Sequence, residues 1–335
     1  MSTLADVARR AGVSTATASR IINGSPKPVA DALRERVLAA VAELHYVPNA
    51  QAQMLARSHR SIVGVIVHDV SDPYFAEITR GLQRVATENG RLLIICNTYR
   101  DPDRELEYIA VLHAHQAAAI ILAGSGYHDP AYLERAAARL RAYEQTGGRV
   151  AVIGRHEHAG DAVVPDNEEG GYLAGDHLFS LGHTEIGVIA GPRILTTTTD
   201  RLAGLRRAAR RHKAKIPAKR IVYADFDRDS GAAAAAQLLE SDRELTAIAA
   251  LNDPMAIGAL SCLRGSGRRV AVTGFDDMAI ARDVTPTLTS VRLPLAEMGA
   301  RAMTLALALA GPGDEPRVER IGAELIARES TWPRS

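Results

Sequence analysis

Eight short apolar runs, separated by amphipathic stretches, constrain this chain more than any other feature. They lie at 61–67, 91–96, 118–123, 149–153, 186–190, 221–224, 246–251 and 269–274. Helical patterns at about 74–88, 103–115, 130–145, 168–181, 199–212, 229–240 and 253–264 fill most of the gaps. Runs that are apolar throughout suit strands buried on both faces, and strands that alternate with helices build parallel sheets. Eight such units overfill one doubly wound sheet, so two α/β lobes are expected. The segments 160–168, 288–294 and 317–328 are expected to cross between them. One lobe then holds about 61–160 with 290–318, and the other 161–289 with 319–330.

At 335 residues the chain has room for two or three folded units. No apolar run approaches the roughly 18–20 residues of a membrane span. The first residues lack a basic stretch followed by an apolar one, so no secretion signal is expected. Cys96 and Cys262 each sit among apolar residues, which suggests free buried thiols in a reducing, cytoplasmic setting. No phosphate loop, nucleophile elbow or dinucleotide fingerprint occurs. His113 and His115 lie at i and i+2 of a helical stretch and do not face each other. His156 and His158 have no further ligand cluster, so neither a metal nor a cofactor is expected.

The first sixty residues read differently. They hold eight Lys/Arg against four Asp/Glu, and the rest of the chain holds 32 against 35. A basic head on a slightly acidic body suits a polyanion-binding module. Leu4, Val7 and Ala8 have helical spacing, with Ser2 or Thr3 as cap. Gly12 supplies a left-handed turn. Ser14 caps a second helix over 15–22, with Ala18 and Ile21 or Ile22 inward and Asn23-Gly24 ending it. A third runs from about Ala30 to Leu44, with Leu33, Val37, Val41 and Leu44 on one face. Two short helices around a glycine turn, with a supporting third, make a helix-turn-helix. The second exposes Thr15, Ala16, Thr17, Ser19 and Arg20, a set suited to the floor of a major groove. Arg20 has the fork to bond a guanine edge.

Several stretches of this head resemble the DNA-binding head of the LacI/GalR repressor family. They are Thr3-Leu4-Ala5-Asp6-Val7-Ala8, Ala11-Gly12-Val13-Ser14, Thr15 to Arg20, Ile21-Ile22-Asn23-Gly24 and Glu43-Leu44-His45-Tyr46-Val47-Pro48-Asn49-Ala50. Ala18 stands where the family usually has Val, and Pro26-Lys27-Pro28 lengthens a loop slightly. The resemblance implies a DNA surface made of Thr3, Ser14, Thr15, Ala16, Thr17, Ser19, Arg20, Asn23 and Tyr46. It also implies a hinge helix in the linker 48–60, carrying Asn49, Ala52, Leu55 and Ala56. There Leu55 matches the family's minor-groove wedge, a device that unstacks a base step and kinks the duplex. The domains are then 1–47, 48–60 and 61–335.

The body resembles the family's effector domain, a fold like that of periplasmic sugar-binding proteins. The resemblance rests on Asp72-Pro73-Tyr74-Phe75, Asp166-Asn167-Glu168-Glu169-Gly170-Gly171, Leu181-Gly182-His183, Ile189-Ala190-Gly191-Pro192 and Asp200-Arg201-Leu202-Ala203-Gly204. It continues in Asn252-Asp253-Pro254-Met255 and Thr273-Gly274-Phe275-Asp276-Asp277. The expected fold is an all-α helix-turn-helix head plus a two-lobed, periplasmic-binding-protein-like α/β body. Ligands of parallel α/β sheets bind beyond the carboxyl ends of strands. Asp72, Arg155, Asn252 and Asp276 each follow a run directly, and Arg201 opens the helix after 186–190. Carboxylates accept hydroxyl bonds and Arg donates a planar fork, which suits a polyhydroxylated ligand. Phe226 is placed to stack on it, Tyr74 and Phe75 to close over it, and Thr197 to stand in the loop before Arg201.

Three functions fit this pattern. The first is a homodimeric repressor on palindromic double-stranded operator DNA, released by a sugar; its variant is a corepressed regulator with a nucleobase or phosphorylated-sugar effector. The second is a soluble sugar-binding protein without DNA function, which leaves residues 1–60 unexplained. The third is a sugar-modifying enzyme, for which no catalytic constellation is found.

Overall fold

The computed structural model describes residues 2–22, 29–46, 62–157, 160–308 and 315–334. The chain divides into two compact units, Met1–Ser61 and Ile62–Ser335.

The first unit contains α1 (Leu4–Ala11), α2 (Thr15–Ile22) and α3 (Asp31–Glu43). Thr3 and Asp6 form a reciprocal capping box at the start of α1, which satisfies two amide groups the helix cannot pair. Gly12 ends α1 at φ 62°, a conformation that suits glycine. A Cβ there would stand 2.6 Å from the Arg36 guanidinium, which reaches across from α3 to the Ala11 carbonyl (2.5 Å). Ser14 Oγ accepts the Thr17 amide at 3.1 Å and so starts α2. Val7, Ala8, Ala11, Ala18, Ile21, Val37 and Ala40 form the core, and Val41 and Leu44 lie at its edge. The expected Leu33 is only partly covered.

The second unit carries two six-stranded sheets. The first runs in the order β11-β5-β4-β3-β1-β2. Its strands are β1 (Ile62–Val67), β2 (Leu92–Asn97), β3 (Ala119–Ala123), β4 (Arg149–Ile153), β5 (Asp161–Pro165) and β11 (Val318–Ile321). The second runs β12-β10-β9-β8-β6-β7. It contains β6 (Ile186–Ala190), β7 (Ile221–Tyr223), β8 (Ala247–Ala250), β9 (Ala271–Asp276), β10 (Thr289–Arg292) and β12 (Glu324–Ile326). All neighbours are parallel except β10 and β12. The helices between them are α4 (Pro73–Glu88), α5 (Pro102–Ala114), α6 (Pro130–Gln145), α7 (Asn167–Ser180), α8 (Thr196–Arg211), α9 (Arg228–Ser241), α10 (Asp253–Ser266) and α11 (Leu295–Leu307). β3 and β6 are fully buried, as their unbroken apolar sequences require. Burying each Val, Leu or Ile contributes about 1.5–3 kcal/mol.

The eight apolar runs are all strands, but the lobe boundaries differ from expectation. Each of the three expected crossings holds a change of sheet, but together they also contain four strands. β5 pairs with β4, and β11 pairs with β5, so both belong to the first sheet. β10 pairs with β9 and stays in the second. The chain changes sheet only after Pro165, after β10 near Pro294 and at Gly322, between β11 and β12. These strands of three to five residues have no helix directly before or after to signal them, except where β5 meets α7 and β10 precedes α11. What holds β5 in place is partly Asp161, whose carboxylate accepts from Arg149 (3.1 Å) and Arg317 (2.5 Å). Among the described residues, no helix is long and apolar enough to cross a membrane.

Candidate DNA-reading head and effector cleft

In the head, Thr3, Ser14, Thr15, Ala16 and Arg20 are exposed, and Thr17, Ser19 and Tyr46 are half-buried. Of these, Ser14 to Arg20 begin or lie on α2, whose inner face is fixed by Ala18 and Ile21. Arg20 closes the last turn of α2, where a cation also complements the helix dipole. Asn23, Asn49, Ala52, Leu55 and Ala56, with the expected hinge helix, lie outside the described residues.

In the body, a cavity of about 40 Å³ opens between the two lobes. Eight of the nine expected effector residues line it: Asp72, Tyr74, Phe75, Thr197, Arg201, Phe226, Asn252 and Asp276. Several first serve their own helix. Asp72 accepts the Tyr74 amide at 3.0 Å and caps α4. Asn252 Oδ1 accepts the Met255 amide at 3.0 Å and caps α10, while its Nδ2 donates to the Phe226 carbonyl at 2.8 Å. Capping fixes these side chains at the sheet edge, where the cavity lies.

Arg201 is the centre of the second-lobe wall and is 3 % exposed. Its Nε donates to Asn167 (2.9 Å), one terminal nitrogen to the Leu251 carbonyl (2.5 Å) and the other to Asp276 (3.0 Å). The guanidinium also stacks on the Phe275 ring at 3.6 Å. Three of its five N–H groups are therefore used within the protein, and the fork is held in one orientation. Burial pushes the Asp276 carboxyl up against the opposing pull of Arg201, with Asp72 adding to the rise. Burial likewise raises Asp72. Phe226 adopts φ 63°, and its ring lies where a Cβ on Gly191 would be, 2.1 Å away. Glycine at 191 is thus what seats the ring.

Arg155 departs from expectation. It follows β4, yet it is not among the residues lining the cavity. Its guanidinium forks onto Asp200 of α8 instead, at 2.9 and 2.7 Å. Five lining residues were missed: Leu195 before α8, and four that follow strands, His68 after β1, Arg100 after β2, and Gly124 and Ser125 after β3. The strand-end rule that selected Asp72, Asn252 and Asp276 selects those four equally. His68 lies 5.8 Å from the Phe75 ring and 5.5 Å from Tyr127. Burial first, then the nearby Arg100 cation, push its pKa down to about 3, so it is uncharged. Arg100 faces Phe226 across the cleft, 6.0 Å from the ring centre. Its Nε is buried and has no hydrogen-bond partner. Of the histidines considered for metal, His156 contacts the Gly124 carbonyl (3.0 Å) and His158 lies outside the described residues. Among the described residues no group of three His, Cys, Asp or Glu could hold an ion.

A helix-turn-helix joined to a two-lobed ligand-binding body defines a DNA-binding transcriptional regulator with a small-molecule effector. Residues 3–49 match the model of bacterial regulatory proteins of the lacI family, and 175–331 match a periplasmic binding protein-like domain. The HTH-type transcriptional regulator GalR of Salmonella typhimurium is 36 % identical, over 98 % of this chain and 95 % of the relative. A solved complex of the transcriptional regulator CelR with cellobiose is 31 % identical, with TM-score 0.73, covering 99 % of this chain and 100 % of that one. The lac repressor dimer, bound to operator and the anti-inducer ONPF, is 25 % identical with TM-score 0.83, over 99 % of each chain. The chain belongs to the LacI family, whose members are transcriptional regulators and not enzymes.

Proposed function

We propose that this chain is a homodimeric repressor whose operator binding is released by an uncharged sugar held between the lobes. The observation that carries the sugar reading is the balance of charge around the cavity. Arg100 and Arg201 face Asp72 and Asp276, and His68 is neutral. Such a wall offers both donors and acceptors, with Arg201 paired to Asp276 and Arg100 near Asp72. Phe226 and Phe75 add apolar faces for the ring. This favours a neutral polyol over a phosphorylated sugar.

In the head, Arg20 reads base edges while Thr3, Ser14, Thr15, Ala16, Thr17, Ser19 and Tyr46 shape or position the contact. A two-fold dimer then reads a pseudo-palindrome. The dimer surface is placed on β2, an edge strand whose Leu92, Ile94 and Ile95 are exposed, next to exposed Tyr99. Such an edge is a template for pairing unless it is covered. A DNA partner and two free thiols support a cytoplasmic location.

Thermal melting against neutral sugars, sugar phosphates and nucleobases tests the effector class, because a ligand stabilises the state it binds. Stabilisation by a neutral sugar is expected. Stabilisation by sugar phosphates or nucleobases alone would contradict it.

A further inference from the structure

One wall of the cleft is built from contacts between the lobes. The loop after β3 belongs to the first lobe and the approach to α8 to the second, and Tyr127 and Leu195 join them in an antiparallel bridge. The Thr196 amide donates to the Gly126 carbonyl (2.9 Å), and the His128 amide to the Ile194 carbonyl (2.7 Å). Ser125 Oγ donates to Thr197 Oγ1 at 2.6 Å. Beside this line Arg155 forks onto Asp200, and its carbonyl accepts from Thr196 Oγ1 at 3.0 Å. Within the first lobe, the loops after β3 and β4 also pack closely: a Cβ on Gly126 would stand 2.5 Å from the Arg155 carbonyl oxygen. Ser125, Leu195 and Thr197 also line the cavity. The same residues therefore bound the ligand space and join the lobes.

We propose that this clasp limits the effector on this side: it excludes a second sugar ring extending toward it. The proposal rests on the sugar reading above. The clasp closes this wall of the cavity, with Ser125, Leu195 and Thr197 on its lining. A second ring on this side must break the Ser125–Thr197 bond and both backbone hydrogen bonds of the bridge, leaving polar groups unpaired. Rejection by such a wall is a repulsive device, distinct from the attraction that holds the first ring. The Arg155–Asp200 pair is the outermost contact of the clasp, with side chains 42 % and 22 % exposed. It can be removed without opening a core.

The test uses the full chain and its Asp200→Ala variant, with two readouts. Hydrogen exchange across 124–128 and 194–199 should be about tenfold faster in the variant if the ion pair holds the clasp. Calorimetric titration with D-galactose, D-ribose and cellobiose should show a monosaccharide bound at least about tenfold more tightly than cellobiose by the parent chain. In Asp200→Ala that ratio should fall about tenfold, with monosaccharide affinity kept. Unchanged exchange overturns the clasp. Cellobiose bound as well as the monosaccharides by the parent, or a ratio that survives in the variant, overturns the size limit. Binding of no sugar by either protein overturns the sugar reading and the size limit with it, while faster exchange would still establish the clasp.

Discussion

Among the described residues of the head, no polar or charged side chain is buried; the body buries Arg201, Asn252, Asp253 and Asp276 together with His68 and Glu105. The head keeps its expected DNA contacts outside a core of small apolar residues. The body makes its expected effector contacts part of the interior. A surface contact can be deleted with little structural consequence. A buried contact cannot, because its partners lose their only compensation. This difference predicts how mutations in the two regions divide between function and stability.

The largest effect is expected at Arg201. Arg201→Ala leaves Asp276 buried without its counter-ion and should cost about 3–5 kcal/mol of stability, as well as the effector response. A denaturant melt checks it; a loss below about 1 kcal/mol would mean that the body tolerates deletion as the head does. Glu105 should come next. Its buried carboxyl accepts from the Tyr132 hydroxyl, and burial raises its pKa to about 7 from 4.5, with that bond opposing the rise. Below pH 4.5 the group is protonated in both folded and unfolded chains, so its contribution is fully present. As pH rises through 7 the unfolded chain has already released its proton, and stability is lost, up to about 3 kcal/mol. Glu105→Gln should flatten this slope between pH 5 and 8 in urea melts of the body. An unchanged slope would remove Glu105 from the account. Arg20 should show the smallest structural effect. Arg20→Ala should weaken operator binding by about 1–3 kcal/mol and relax preference at one base pair, with an unaltered melt. A lowered melting temperature would place Arg20 in the head's structure rather than on its reading surface.

The same contrast explains what was legible in the sequence. Thr3, Gly12 and Ser14 announce their roles because caps and left-handed turns are local, set by a few adjacent residues. The apolar runs announce strands for the same reason. Cleft residues depend on where strands end in space, and the strand-end rule is enough for Asp72, Asn252 and Asp276. Applied to every strand, it also finds His68, Arg100 and Ser125. It misplaces Arg155, since adjacency to β4 says nothing of the competing carboxylate on α8, 45 residues away. The changes of sheet fall inside the expected crossings, but β5, β10, β11 and β12 within them go unmarked because three to five residues carry too little periodicity to mark a strand. Nothing in the local sequence marks Glu105 as buried; its site is made by Tyr132, 27 residues on.

The most direct test of the central claim is operator binding by the intact chain with and without sugar. A palindromic site is first selected from random DNA, and fluorescence anisotropy then follows its affinity during titration with neutral monosaccharides. One of them is predicted to weaken operator binding by about 5–150-fold, the usual range of coupling between two sites. In Asp276→Asn, which removes the charge but keeps the shape, the response should disappear while binding to the site remains. No preference for any sequence over random DNA, or a full sugar response in Asp276→Asn, would contradict the account.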